Sequence, residues 1–293
     1  MQGRQRALYH AQAGGQPWMP DKGGKGQARK PAAGGEDHVA DFVFSDPWSL
    51  ALAVLAVALV GLGKGGLAGV GVLSVPLMAL IISPVQAAGI LLPILLVSDA
   101  FSLWAWWGSW DRRTLWLMLP GAMVGIGIGW LTAALVSDAM VRLIIGVIAV
   151  AFVLRWFLAS KARRAAVRPH DARAGSFWGA LAGYTSFVAH AGGPPFQVYT
   201  MPLNMDPRIL TGTSVVFFAV VNVVKLLPYF ALGQFDAANL VTSAVLMPLV
   251  AVFTLLGAAL IRRMRTEVFY PITYALTMMV GIKLVWDGLA AML

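Results

Sequence analysis

In a chain of 293 residues, 59% are hydrophobic and only 12% charged, which excludes a soluble globule, where about 25% of residues are charged. The net charge of +9 sits in a few short connections between apolar stretches, without a basic stripe interleaved with aromatics; this excludes a nucleic-acid partner and matches the distribution that orients membrane helices. The absence of cysteine excludes disulfides, thiolate metal sites and cysteine nucleophiles.

Residues 1–46 are rich in Gly, Gln, Lys, Arg and Ala without apolar periodicity, and read as a disordered N-terminal tail. No short apolar core with a small-residue cleavage site follows its arginines, so it does not read as a signal peptide. Eight apolar segments follow, at 49–82, 86–107, 114–136, 139–158, 175–203, 208–231, 237–260 and 267–291. Crossing about 30 Å of hydrocarbon takes roughly 20 helical residues, and none of the segments alternates as β-barrel strands do. The fold class is therefore an all-α polytopic membrane protein in a lipid bilayer. A polar basic linker at 159–174, SKARRAAVRPHDARAG, divides the segments four and four and is expected in the cytoplasm.

The first and fifth segments exceed one crossing, and each is interrupted. LVGLGKGGLAGVGV (59–72) places six glycines around Lys64, the only charge between Ser49 and Ile82; HAGGPP (190–195) interrupts the other. The halves also match in sequence: SPVQAAG (83–89) with DPRILTG (206–212), GSWD (108–111) with GQFD (233–236), and VPLM (75–78) with MPLN (201–204). This predicts a first transmembrane repeat at 47–158 and a second at 175–293. The arginines of the linker and Arg262, Arg263 and Arg265 both mark inner connections. They share a face only when the fifth segment returns to its starting side as a hairpin. Equivalent loops then face opposite ways, so the chain reads as two inverted repeats, each a broken helical hairpin plus three transmembrane helices, with both termini outside.

Glycine runs and paired prolines unwind a helix, and unwound backbone at membrane depth persists only where protein or a polar cavity satisfies it. Paired interruptions in two halves point to a transporter's central site, which directs attention to Lys64, Gly65, Gly66, His190, Gly192 and Gly193. The competing role is close helix packing, which GAMVGIGIGW (121–130) fulfils. Asp99, next to Ser98, is the one carboxylate well inside an unbroken span, and its repeat counterpart is Asn222. The pair either binds a proton and offers hydrogen bonds to a substrate, or holds helices together. Lys225, one turn after Asn222, either contacts an anion or snorkels to the interface. His190 either titrates or is a hydrogen-bonded structural residue. Trp104, Trp106, Trp107 and Trp110 read as an interfacial belt, and Lys283 with Asp287 as an i, i+4 pair. GLGKGG also fits G-x-G-x-x-G, but no strand precedes it, so a dinucleotide site is rejected. No second histidine or carboxylate stands at ligand spacing, so no metal is expected, and no cofactor.

GLGKGGLAGVGVLSVPL followed by SPVQAAGILLP in the first half, and AHAGGPPFQVYTMPLNMDPRILTGTS with GQFD in the second, resemble the sulfite exporter TauE/SafE family over roughly 48–290. The resemblance implies export of a small anion such as sulfite, sulfoacetate or a related organosulfonate across a bacterial inner membrane. It implies substrate contacts at Lys64, Gly65, Gly66, Gly192 and Gly193 and near Asp99 and Asn222. Family members often have a glycine-dominated second break, whereas this chain has His190 before it and Pro194 and Pro195 after it.

The resulting expectation is a secondary transporter working by alternating access. Its two hairpins would meet near the midplane and present Lys64 and hydroxyls such as Thr213 and Ser214 to the anion, with proton coupling through Asp99 and a homodimer as the association to test. A passive anion channel would use the same chemistry without alternating closure. An integral membrane enzyme would need a nucleophile with its base, paired catalytic carboxylates or a metal cluster, and none is evident in the sequence.

Overall fold

The computed structural model describes residues 46–67, 69–78, 80–81, 84–132, 135–160, 167–231 and 237–292. Residues 1–45 of the tail, the middle of the basic linker and the GQFD motif lie outside them. The first helix, α1 (Pro47–Gly65), starts where the Asp46 carboxylate accepts the Ser49 amide at 2.9 Å, with proline in the first turn, where a missing N–H costs nothing. It ends in the glycine run. Gly66 at φ +142° and Gly69 at φ +102° turn the chain back on itself, in backbone geometry that a Cβ would strain. A 3-10 turn (Val70–Leu73) and α2 (Ser74–Met78) then run back along α1, Met78 packing with Ala53, Ala56 and Val57. The first half is completed by α3 (Pro84–Ala105), α4 (Arg112–Thr132) and α5 (Asp138–Leu158).

The second half repeats this order. Asp171 caps α6 (Ala172–Ala189), and His190 ends it in the left-handed conformation, at φ +51°. The next helix, α7 (Gly193–Thr200), carries Pro194 and Pro195 in its first turn. It doubles back far enough for the Tyr199 hydroxyl to donate to the Asp171 carbonyl at 3.2 Å. The second arm thus ends where the first began, as the charge pattern requires of the fifth segment. Three long helices follow: α8 (Pro207–Ala231), α9 (Ala237–Arg263) and α10 (Thr266–Ala290).

The duplication extends to packing. Helix α1 lies against α9 and α4 against α6; α3 meets α9 and α8 meets α4; α3 with α8 and α5 with α10 are pairs across the halves. Exchanging the halves interconverts the first two contacts and the next two, and carries α3–α8 and α5–α10 onto themselves. Both hairpin arms pack through small residues at four-residue spacing, which let backbones approach closely. Gly61 and Gly65 of α1 press on Thr254 and Gly257 of α9, and Gly121 and Gly125 of α4 press on Ser176 and Ala180 of α6.

Among the described residues, six helices are long and apolar enough to cross a membrane: α1, α4, α5, α10, residues Pro207–Leu226 of α8 and Thr242–Arg263 of α9. The chain is a multi-span membrane protein. Its basic connections converge at one end of the bundle. His170 Nε2 lies 2.9 Å from the Asp111 carboxylate, the Asp111 amide donates to the Thr213 hydroxyl at 2.8 Å, Arg168 donates its amide to the Pro202 carbonyl at 3.0 Å, and the Arg208 guanidinium donates to the Arg262 carbonyl at 2.8 Å. Burial works to raise the Asp111 carboxyl, but donors from Thr114 and the neighbouring His170 outweigh it and hold the group below the ordinary carboxylate value.

Candidate functional site

The two breaks lie toward opposite ends of the bundle. At break one, Gly66 sits beside Thr211 near the start of α8 and Ile261 near the end of α9, and the Gly65 carbonyl accepts the Trp106 indole N–H at 3.1 Å. This is the basic end. At break two, Ala189 and Ala191 pack with Val141 and Ile145 in the first half of α5 and with Leu284 of α10; Val280, midway along α10, packs with them and also meets Gly69 of break one. The arms that lead to the breaks are of similar length: α1 has 19 residues and α6 has 18, roughly 27 Å of helical rise.

What joins the breaks is a string of side chains on α3 and α8. Lys64, in the last turn of α1, reaches Asp99 of α3 with Nζ 2.6 Å from Oδ1. The Asn222 carboxamide of α8 donates to the other carboxylate oxygen at 2.7 Å. One turn along α8, the Lys225 ammonium donates to the Ser186 carbonyl at 2.7 Å and lies 3.4 Å from His190 Nδ1 at break two. Asp99 is 5% exposed and Lys225 4%, so Lys225 does not snorkel. Charges in hydrocarbon persist only with partners that repay their desolvation, and here the partners come from both halves. The Ser98 hydroxyl bonds to that of Thr254 at 2.8 Å. Ser102, one turn beyond Asp99, donates to the Lys64 carbonyl at 3.0 Å.

Of the residues singled out in the sequence, Lys64, Asp99, Asn222, Lys225 and His190 come together in this string, with Ser98 beside it. Gly66 supplies a turn, Gly65 a close approach to α9, and Gly192 is pressed against the Ala182 carbonyl, whereas Gly193 faces open space. Thr213 and Ser214 are not brought in. They lie eight or nine residues before Asn222, about 13 Å of rise, and the Thr213 hydroxyl is engaged at the basic end with the Ile209 carbonyl and the Asp111 amide. The reading of four tryptophans as one belt is corrected for Trp106: Trp104 and Trp107 are exposed, but Trp106 is 1% exposed and tied to break one.

Sequence reasoning missed Ser102, Trp106, Ser186 and Thr254. The repeat held a signal for Ser102, which follows Asp99 by the spacing that separates Lys225 from Asn222. Both residues grip a hairpin break, Ser102 at Lys64 and Lys225 at Ser186 and His190. Among the described residues, no three His, Asp or Glu side chains converge as metal ligands would. The arrangement offers one half-buried lysine, Lys64, one buried lysine, Lys225, and one buried carboxylate, suited to holding an anion and to letting a proton compete with Lys64 for Asp99.

Comparison with curated proteins and with solved structures gave no match. A family model, sulfite exporter TauE/SafE, matches residues 53–284 and so takes in both hairpins, Lys64, Asp99, Asn222 and Lys225. The chain belongs to the sulfite exporter TauE/SafE family, and is a multi-pass membrane transport protein.

Proposed function

We propose that the protein exports a small sulfur-containing anion, sulfite, sulfoacetate or a related organosulfonate, across a bacterial inner membrane by alternating access. The observation that carries this reading is the Lys64–Asp99–Asn222 network, assembled from both halves around the buried Asp99 carboxylate. The anion displaces Asp99 as the partner of Lys64. Protonation of Asp99 assists by releasing the ammonium, which couples flux to the proton gradient. The two halves are inverted repeats whose hairpins enter from opposite faces, the basic end being cytoplasmic. Loosening one hairpin at a time therefore opens the string first at the Lys64 end and then at the Lys225 end.

The test is efflux of labelled sulfoacetate and sulfite from proteoliposomes. Lys64→Ala lowers flux about ten- to a hundredfold, the equivalent of one charge-assisted hydrogen bond, while the protein still elutes as a folded species. Asp99→Asn retains flux that no longer responds to a pH gradient. Parent-level transport by Lys64→Ala refutes the central site, and an unchanged pH response in Asp99→Asn removes proton coupling.

A further inference from the structure

At the basic end, the start of α8 and the turn between α9 and α10 border an open cavity of about 570 Å³, with Ser109, Asp206, Arg208, Arg262, Arg265 and Glu267 in its wall. The acidic groups there are engaged: Glu267 lies 3.5 Å from Arg265, and Asp206 accepts the Arg208 amide at 2.8 Å. Among the described residues, the Arg208 and Arg262 guanidiniums have no carboxylate partner. Arg208 donates to the Arg262 carbonyl and Arg262 to the Ala105 carbonyl. Each guanidinium has five donors in a fork that fits two oxygens of one oxyanion, and both arginines are exposed residues in the cavity wall.

One layer of side chains separates this cavity from Lys64. Arg262 lies over the Trp106 ring at 5.4 Å from its centroid, the Trp106 indole is bonded to the Gly65 carbonyl, and Lys64 is the next residue. On the α8 side, Thr211 stands one turn in from Arg208, beside Gly66, and its buried hydroxyl has no hydrogen-bond partner. Such a group is costly to leave unsatisfied. It lies where an oxyanion moving from Arg208 toward Lys64 would pass.

We propose that this cavity is an anion-loading site at the mouth of the pathway: a small oxyanion is held between Arg208 and Arg262 and reaches Lys64 when the Arg262–Trp106 stack parts. The proposal rests on the export reading and adds to it a second binding site and a named barrier. A free organosulfonate and the phosphate of an anionic lipid present the same oxygens to such a site, so the test separates them.

Because the chain has no cysteine, single cysteines report cleanly. In inside-out vesicles, Ser109→Cys is treated with two methanethiosulfonate reagents of similar size, one ending in a sulfonate and the other in a trimethylammonium. The sulfonate reagent reacts about tenfold faster, as a positively charged cleft concentrates anions; sulfoacetate slows it, and Arg208→Gln abolishes both effects in protein of unchanged elution profile. Equal rates for the two reagents, or a preference that survives Arg208→Gln, overturns the site. Protection that appears only in vesicles containing phosphatidylglycerol, and not with sulfoacetate in phosphatidylcholine, assigns the cavity to a lipid headgroup and overturns the loading role. Ser102→Cys, beside Lys64, is silent in the parent and reacts from the same face once Trp106→Ala is added; continued silence removes Trp106 as the barrier. In Lys64→Ala, sulfoacetate still protects Ser109→Cys although transport is lost. Protection lost in that background refutes a separate outer site, whereas intact transport refutes the central one.

Discussion

Asp99 is the residue on which the central cluster depends. Its two oxygens are shared between an ammonium from α1 and a carboxamide from α8, so one side chain joins the first hairpin, the span that follows it and the second half of the chain. Removing one member of a buried ion pair leaves an uncompensated charge, at a cost of about 3–5 kcal/mol, while replacing both members with apolar groups is often neutral. Asp99→Leu should therefore melt well below the parent in detergent, and Lys64→Met with Asp99→Leu should recover most of the loss; a double variant less stable than Asp99→Leu would show that the pair does not act as a unit. Trp106 teaches a different lesson at this scale. Within LWAWWGSW it has the same composition context as Trp104 and Trp107, yet the turn that ends α3 rotates it inward to Gly65 while its neighbours stay exposed.

At the scale of elements, the glycine run at 59–72 combines two roles that the sequence sets against each other. Gly61 and Gly65 are small so that α1 can lie on α9, whereas Gly66 and Gly69 adopt positive φ so that the chain can reverse. GAMVGIGIGW does the first job only, with Gly121 and Gly125 against α6. A methyl group at Gly65 or Gly125 would run into backbone atoms of the facing helix, while one at Gly127 would meet nothing within 4 Å. Gly65→Ala and Gly125→Ala should each lose about 1–3 kcal/mol, the usual cost of overpacking, and Gly127→Ala should melt like the parent; a denaturation series in mild detergent decides between these outcomes. The segment boundaries were legible because lipid demands long apolar runs and glycine or proline interrupts them. The contacts of each break were not. They depend on which helices the interrupted segments cross, α8 and α9 at Gly66 and α5 and α10 at Ala191.

For the whole molecule, the governing feature is that two similar halves are joined with their hairpins reaching toward opposite ends. Arg112 and Arg113, Arg168 and Arg173 of the linker, and Arg262, Arg263 and Arg265 gather at one end through the contacts of Asp111 with His170 and of Arg208 with Arg262, as the positive-inside pattern requires. Exposed Ser137, at the start of α5, lies at the other. Ser137→Cys should accordingly react with an impermeant maleimide on intact cells, and Ser109→Cys only in inside-out vesicles; the reverse pattern would invert the orientation and with it the direction of loading.

Composition, run length and the glycine and proline interruptions determined by themselves that this chain is a multi-span helical bundle with one interrupted segment in each half. Those properties are local: a bilayer reads them from each stretch of chain irrespective of its neighbours. They also brought forward Lys64, Asp99, Asn222, Lys225 and His190, since a charged or strongly polar side chain inside an apolar run demands a partner wherever the fold goes. Only the tertiary structure decided which partner each one takes. Lys64 and Asp99 are 35 residues apart and Asn222 a further 123 along the chain from Asp99, and their meeting depends on how α1, α3 and α8 cross. The same packing carried Thr213 to the basic end and drew Trp106 out of its aromatic belt, because hydrogen-bond partners at membrane depth are chosen by proximity among packed helices, and sequence spacing does not encode it.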